Sequence, residues 1–468
     1  MAEATNRSGQ LLNPFNPSGN YYPITFKPQK RILLRNILWN NDQIGQISEA
    51  NKDSSAAWSL WIERMRSQGQ GIEPTMVESL RQRFNTFHDF ADLVAMLRES
   101  AVESQSNKRW TSRFIFPFGA NAIYEDLDSK ESFSRDYINF TRTGELLYLM
   151  LSRSAFATDL TPKLKNLLEG HNIWNSLLGL LQHDDVTDNL STRGKSYLPY
   201  IKHPIYDELG RDWLTLFNLE LPGYDVISHL VTLGAYYIML YQLKIAAEWN
   251  QTDKRTYFIC EVVAPRKTLV RELSILNYQE NATLPSKAID SYINRIEQST
   301  DWQEILLESP STADAHARCK QYLMETVWWD GEDSASTPEA LLADLKEQVQ
   351  QRHKQHEGNV HREIGRDIGF ISRRGTTRFR YAPTDSLLKT LLLANVPTRM
   401  EFREFLALLF DRYGLVFGER EAIQVVESDS FDKRPFDLNT TRLEQRLSSL
   451  GMLRRLSDGC AYVINPLI

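Results

Sequence analysis

The sequence predicts a mainly α-helical fold: a multi-helical body with a small α+β domain at its C-terminal end. Three observations point there. Apolar residues recur three and four positions apart over most of the chain, the spacing of one helix face. Strand-like runs are few: RTYFICEVV (255–263) is the best in the first two thirds, and a short helix also fits it. Near the end, a helix-period segment leads into a hairpin pattern, MLRRLSDGCAYVI, with Asp458-Gly459 as its turn.

Length and composition narrow the possibilities. A chain of 468 residues is long enough for two to four domains, and 42% apolar with 24% charged residues is ordinary soluble composition. The formal net charge of -6 argues against a dedicated non-specific nucleic-acid binder, so any such contact has to be a local patch. Cys260, Cys319 and Cys460 are far apart and form no CxxC pair, which speaks against a zinc finger or a disulfide scaffold and for a reducing compartment. The stretch MAEATNRSGQLLNPFNPSGN lacks the apolar core of a signal peptide. Val226 to Ala247, the most apolar run, contains His229, Gln242 and Lys244, as a buried helix does before a membrane span. A cytoplasmic protein without membrane contact is expected.

In chain order, residues 1–25 read as a flexible arm rich in Asn, Pro, Ser and Gly. Residues 26–182 read as a helical domain. Trp58, Trp61 and Met65 share one face there, and Phe84, Phe87 and Leu93 point inward. After a loop about Pro117 and Gly119, a helix from about Thr143 packs Leu147, Met150 and Leu151. A polar linker, 183–196, leads to a second helical domain, 197–329, with a long helix over 225–249 and a helix–loop–helix over 266–297. Residues 330–360 read as a charged linker whose polar helix offers little to a core. Residues 361–468 hold a basic hairpin and the C-terminal domain. Its helices are LLKTLLLANV (387–396) and MEFREFLALLFDRYG (400–414), with Phe402, Phe405, Leu406 and Leu409 inward.

The final segment is FDLNTTRLEQRLSSLGMLRRLSDGCAYVINP, 436–466. Thr441 and Glu444 fit a capping box, Leu443, Leu447 and Leu450 share a face, and Gly451 stops the helix. Helix followed by hairpin, over about residues 383–466, resembles a winged-helix domain. The resemblance implies that the helix enters a major groove, with Thr441, Arg442, Gln445 and Arg446 facing nucleic acid. It also implies that Arg454, Arg455 and Asp458 lie on or beside the wing. Winged-helix modules serve in protein–protein contact as well, and an acid at the turn weakens a phosphate contact.

The strongest basic cluster is IGRDIGFISRRGTTRFRYAP (364–383). Arg373, Arg374, Arg378 and Arg380 lie within nine residues without an acid, and a turn at Gly375-Thr376 would make this a hairpin. Six Arg against Glu363 and Asp367 leave a local charge of +4 over 362–380. Such arginines, with Phe379 and Tyr381 nearby, suit phosphates and a stacked base. They equally suit an acidic protein surface, or a solvated loop whose stems cover apolar atoms.

Other constellations are weak. Gly194-Lys195-Ser196 lacks the glycine that a phosphate loop needs five residues earlier, where Asn189 stands. His353, His356 and His361, and His183 with Asp184, Asp185 and Asp188, lack partners for a metal site. Glu261, after the strand and before Arg266 and Lys267, is the one carboxylate in a nuclease-like context, better placed than Asp128–Lys130 or Asp344–Lys346. No GxSxG occurs, and Cys260 reads as a small hydrophobe.

The sequence therefore argues for a non-catalytic nucleic-acid-binding subunit of a larger complex, needing no cofactor or metal. It would hold double-stranded DNA in preference to RNA beside an ATPase or nuclease partner, as in bacterial defence or chromosome maintenance. The contact residues would be Arg373, Arg374, Arg378, Arg380, Arg442, Gln445, Arg446, Arg454 and Arg455. The alternatives are a helical scaffold docking proteins through the same domain, and a divergent metal-dependent nuclease around Glu261.

Overall fold

The structure, a computed structural model, describes residues 20–25, 43–67, 74–101, 143–169, 173–181, 195–200, 203–221, 225–250, 255–263, 268–327, 329, 331, 335–354, 360–373, 378–427, 431–457 and 460–467. The loop about Pro117, the pairs at Asp128–Lys130 and His183–Asp188, His356, Arg374, the Gly375-Thr376 turn and the Asp458-Gly459 turn lie outside the described residues. Helices dominate, as the periodicity predicts. Two strands stand where none was expected: Asn20–Thr25 in the arm, and Lys195–Tyr200 at the end of the polar linker. The second rules out a phosphate loop at Lys195, because that loop must run into a helix.

The chain forms two compact units, one of Pro23–Leu146 with Thr158–Ser196, the other including Leu147–Ala157 and Tyr197–Ile468. Thus Leu147–Ala157 leaves the expected 26–182 domain, and the three regions expected after residue 197 belong together.

The smaller unit is organised by aromatic residues. Trp58 and Trp61, three apart in the helix Ser54–Ser67, meet Phe87 and Phe90 of the helix Phe87–Ala101. The Trp58 ring lies 5.0 Å from Phe87 edge-on, the geometry that aromatic quadrupoles favour. A reciprocal cap starts the second helix: Asp89 N donates to Thr86 Oγ1 at 3.1 Å, and Thr86 N donates to Asp89 Oδ2 at 3.0 Å.

The larger unit is built around the apolar helix Asp225–Trp249. Among the described residues it is the one helix long and apolar enough to cross a membrane, and 67% of its apolar window is buried. It packs on Ile205–Asn218, on Leu269–Glu297 and on Asp385–Asn395. Asp212 is fully buried there, and it accepts from the hydroxyls of Tyr237 and Tyr413 and from Arg412. Three donors satisfy a carboxylate that burial would otherwise make costly.

Two expectations fail in this unit. Leu269–Glu297 is one continuous 29-residue helix despite Pro285, with Asn250 Nδ2 donating to Leu284 O at 3.1 Å beside the proline. The helix Pro338–Arg352 is no bare linker: Leu341, Leu342, Leu345 and Val349 are buried with Ile293, Ile296, Trp302 and Trp329. Its leucines are spaced to form one narrow stripe, which suffices when the helices Leu269–Glu297 and Thr312–Val327 cover it.

The hub is the segment 258–262. Phe258–Ile259 pairs in parallel with Leu415–Val416, and Cys260 bridges to Tyr381 on the other side. Its backbone N–H groups are all placed: Phe258 donates to Gly414 O, Ile259 to Asn277 Oδ1, Cys260 to Val416 O, Glu261 to Tyr381 O and Val262 to Asn439 Oδ1, at 2.8–2.9 Å. A buried amide left unpaired would cost about 1–3 kcal/mol, so four distant segments are tied to this strand.

The C-terminal part runs helix Asp385–Asn395, strand Arg399–Glu401, helix Phe402–Tyr413, strand Leu415–Val416, the one-turn helix Glu419–Ala422, helix Lys433–Ser449, then strands Leu453–Ser457 and Cys460–Ile464. Cys460–Ile464 is the middle strand of an antiparallel sheet, flanked by Arg399–Glu401 and Leu453–Ser457. The helix before the hairpin starts eight residues earlier than Thr441 suggests, with Asp432 capping Arg434 N. Thr441 instead lies mid-helix, its hydroxyl donating to Asp437 O at 2.9 Å. Glu444 is free of capping and pairs with Arg455.

Candidate nucleic-acid interface

Antiparallel strands Ile371–Ser372 and Arg380–Tyr381 form the basic hairpin, pairing Ile371 with Tyr381 and Ser372 with Arg380. Continuing that register puts Arg373 opposite Phe379. The Arg373 guanidinium lies 5.1 Å from the Phe379 ring centroid, and Arg362, from the helix Val360–Asp367, lies 5.9 Å from the same ring. The ring acts as a prop that keeps guanidinium edges turned outward, each contact worth about 0.5–1 kcal/mol when exposed. Arg373 and Arg378 are exposed, and neither has a carboxylate partner among the described residues.

Arg380 is different. Its side chain is 3% exposed and its Nε donates to Glu261 Oε2. Arg271 Nε donates to the other carboxylate oxygen at 2.7 Å. Arg380 therefore leaves the set of phosphate contacts, because its charge is already neutralised inside the protein. The same geometry removes the nuclease reading: Glu261 is 1% exposed and both oxygens are held by guanidinium groups, leaving none for a metal or a water. Lys346, of the second nuclease-like pair, binds Asp290 at 3.1 Å.

Tyr381 is also withdrawn from any base. It is fully buried, stacked on Phe370, with its hydroxyl 3.0 Å from His361 Nε2. Burial drives the His361 imidazole down to about 3. No group of three His, Cys, Asp or Glu that could hold a metal comes together among the described residues.

On the helix Lys433–Ser449, Phe436, Asn439, Leu443 and Leu447 face the core. Asn439 Nδ2 donates to Cys260 O and Phe417 O at 2.9 and 3.0 Å, locking this helix to the hub. Leu450 is the C-cap and stands partly exposed, not in the stripe expected of it. Gln445 and Thr441 are exposed on the outer face and Arg442 is half-buried on its flank. Arg446 turns back, donating to Asp385 and to Pro383 O at 3.1 Å, so it anchors the helix to the end of the basic hairpin segment. Arg455 sits 3.0 Å from Glu444. Both are thus partly committed within the protein, whereas Arg442 and Arg454 have no carboxylate partner among the described residues. Lys433 binds Glu419 at 2.7 Å near Asp437, so the start of the helix is the less basic end.

Two residues that the sequence reading missed join this surface. In the C-terminal sheet Glu401 and Arg454 stand on either side of Tyr462, and the Arg399 guanidinium lies 5.6 Å from the Tyr462 ring. Arg399, Tyr462 and Arg454 therefore share the outer sheet face, while Leu453 and Val463 line the buried one. The signal was a three-residue alternation, RME, too short to separate from the helix that follows it.

Compared with known proteins, the chain matches no family model, no curated protein and no solved structure.

Proposed function

We propose that the larger unit binds nucleic acid, duplex DNA before RNA, through the basic hairpin and a winged-helix-like C-terminal domain. The reading is supported by the order helix, strand, helix, helix, strand, strand, with the hub strand Leu415–Val416 and the one-turn helix Glu419–Ala422 inserted after the second helix and the last strand in the middle of its sheet. The observation that carries it is the division of the arginines. Arg380, Arg446 and Arg455 are engaged by Glu261, Asp385 and Glu444, while the exposed Arg373, Arg378 and Arg454 and the half-buried Arg442 have no carboxylate partner among the described residues. Charges neutralised internally build the fold, and charges left over suit phosphates.

The test is the affinity of the chain for a short duplex as salt is raised. Four phosphate contacts give a log–log slope of roughly -3.6, about a hundredfold loss of affinity between 50 and 200 mM salt. Replacing all four arginines by alanine should flatten it. Affinity that is absent at low salt, or indifferent to salt, would sink the proposal. A protein-docking role has its own support: Leu438 on the outer helix face and Leu456 in the hairpin are 57% and 62% exposed. Salt-insensitive capture of a partner, lost on Leu438→Ser, would favour that second reading.

A further inference from the structure

We infer that the basic hairpin and the C-terminal helix grip the same turn of one duplex, with Glu261 as the positioning residue that fixes their spacing. This rests on the nucleic-acid reading of the larger unit. Both surfaces hang on the same five residues. Glu261 holds the hairpin twice, through its backbone N–H to Tyr381 O and through its carboxylate to Arg380. One residue to either side, Cys260 O and Val262 N hold Asn439 of the helix. The hairpin cannot shift along the helix without breaking buried hydrogen bonds.

The spacing fits one duplex. Arg378 and Pro383 are five residues apart, at most about 18 Å along an extended chain. Arg446 reaches Pro383 O at 3.1 Å, and Arg442 precedes it by one helical turn, about 6 Å. Adding the Arg446 side chain and its hydrogen bond, Arg378 and Arg442 stand at most about 36 Å apart, close to one duplex turn of roughly 34 Å. Arg442 also lies on the flank of the helix that Arg446 turns toward the hairpin segment, not on the opposite flank. Glu261 neutralises one cation from the hairpin and one, Arg271, from the long helix. Without it the buried Arg380 and the partly buried Arg271 guanidinium groups would repel, and the hairpin strand would be pushed from its place.

Duplexes of one and of two turns are titrated into the full chain, and the mass of the complex is read by sedimentation. One duplex per chain is expected, with Arg378→Ala and Arg442→Ala each lowering the salt slope on the one-turn duplex by about 0.9. Two duplexes per chain, or a one-turn duplex that senses only one of the substitutions, overturns the inference. Arg380→Gln removes the carboxylate hold on the hairpin but leaves the backbone hold and the Glu261 pair with Arg271, so it tests the positioning role in a chain expected to stay folded. It should lower the Arg378 share of the slope and spare the Arg442 share, with Arg380→Lys restoring the first. Equal slopes for the two Arg380 variants and the unaltered chain overturn the role of Glu261. Salt-indifferent binding by the unaltered chain defeats the nucleic-acid reading itself, which separates the two failures.

Discussion

His361 is enclosed by Tyr278, stacked at 5.1 Å, and by Tyr381, whose hydroxyl is 3.0 Å from Nε2. Asn281 Nδ2 donates to that hydroxyl at 3.0 Å, so the hydroxyl proton is directed at His361 and Nε2 accepts. The ring is then neutral with its proton on Nδ1, a buried atom without a partner. The folded value of about 3 lies below the usual 6.5, so between those pH values the unfolded chain binds a proton that the folded chain does not. The associated stability is complete above about pH 6.5 and is lost as pH falls, by about 1.4 kcal/mol per unit. Denaturant unfolding from pH 7 to 4 should show this slope, and His361→Gln should reduce it by that amount. An unchanged slope would mean that the ring is hydrated in the fold. Glu261 shows the same limit of reading residues singly. Its neighbours in sequence, Arg266 and Lys267, suggested a reactive carboxylate, but its partners are Arg271 and Arg380, the latter 119 residues away.

The ends of the helices Phe402–Tyr413 and Lys433–Ser449 are set by glycines with the same left-handed backbone, φ 72° at Gly414 and at Gly451. Their surroundings differ. A Cβ at Gly451 would meet nothing within 4 Å, while one at Gly414 would stand 2.7 Å from Thr256 O, a backbone atom that cannot yield cheaply. Gly451→Ala is expected to cost only the conformational strain, about 1–2 kcal/mol. Gly414→Ala should cost clearly more, because Gly414 O also accepts from Phe258 at the hub. Equal losses in chemical unfolding would contradict the close approach at Thr256. Gly451 as a helix stop was legible in the sequence, because a left-handed cap is a local requirement. The true start of that helix was not. Asp432 caps it from an unremarkable context, and the better-looking capping box at Thr441 lies in its middle.

Across the larger unit, the segment 258–262 joins parts that the sequence divides into two regions, 197–329 and 361–468. Its neighbours come from Asn277, Tyr381, Gly414 to Val416, and Asn439. The larger unit should therefore open as one body. In hydrogen exchange, the amides of Phe258 to Val262 and those of Leu415 to Phe417 should share one opening free energy. Limited proteolysis should release no stable fragment of 361–468. Separate exchange classes on the two sides of the hub would show that the C-terminal part folds by itself.

The sequence alone determined the helical class, most inward faces, the paired strands of the basic hairpin and the closing helix and hairpin. Those features follow from periodicity and turn chemistry, which act over a few residues. Only the tertiary structure decided which arginines remain available and that Glu261 is locked by two of them. It also decided that the polar helix at 338–352 belongs to a core. Ion pairing and burial depend on what the folded chain brings alongside, and a charge near in sequence says little about the one that meets it in space.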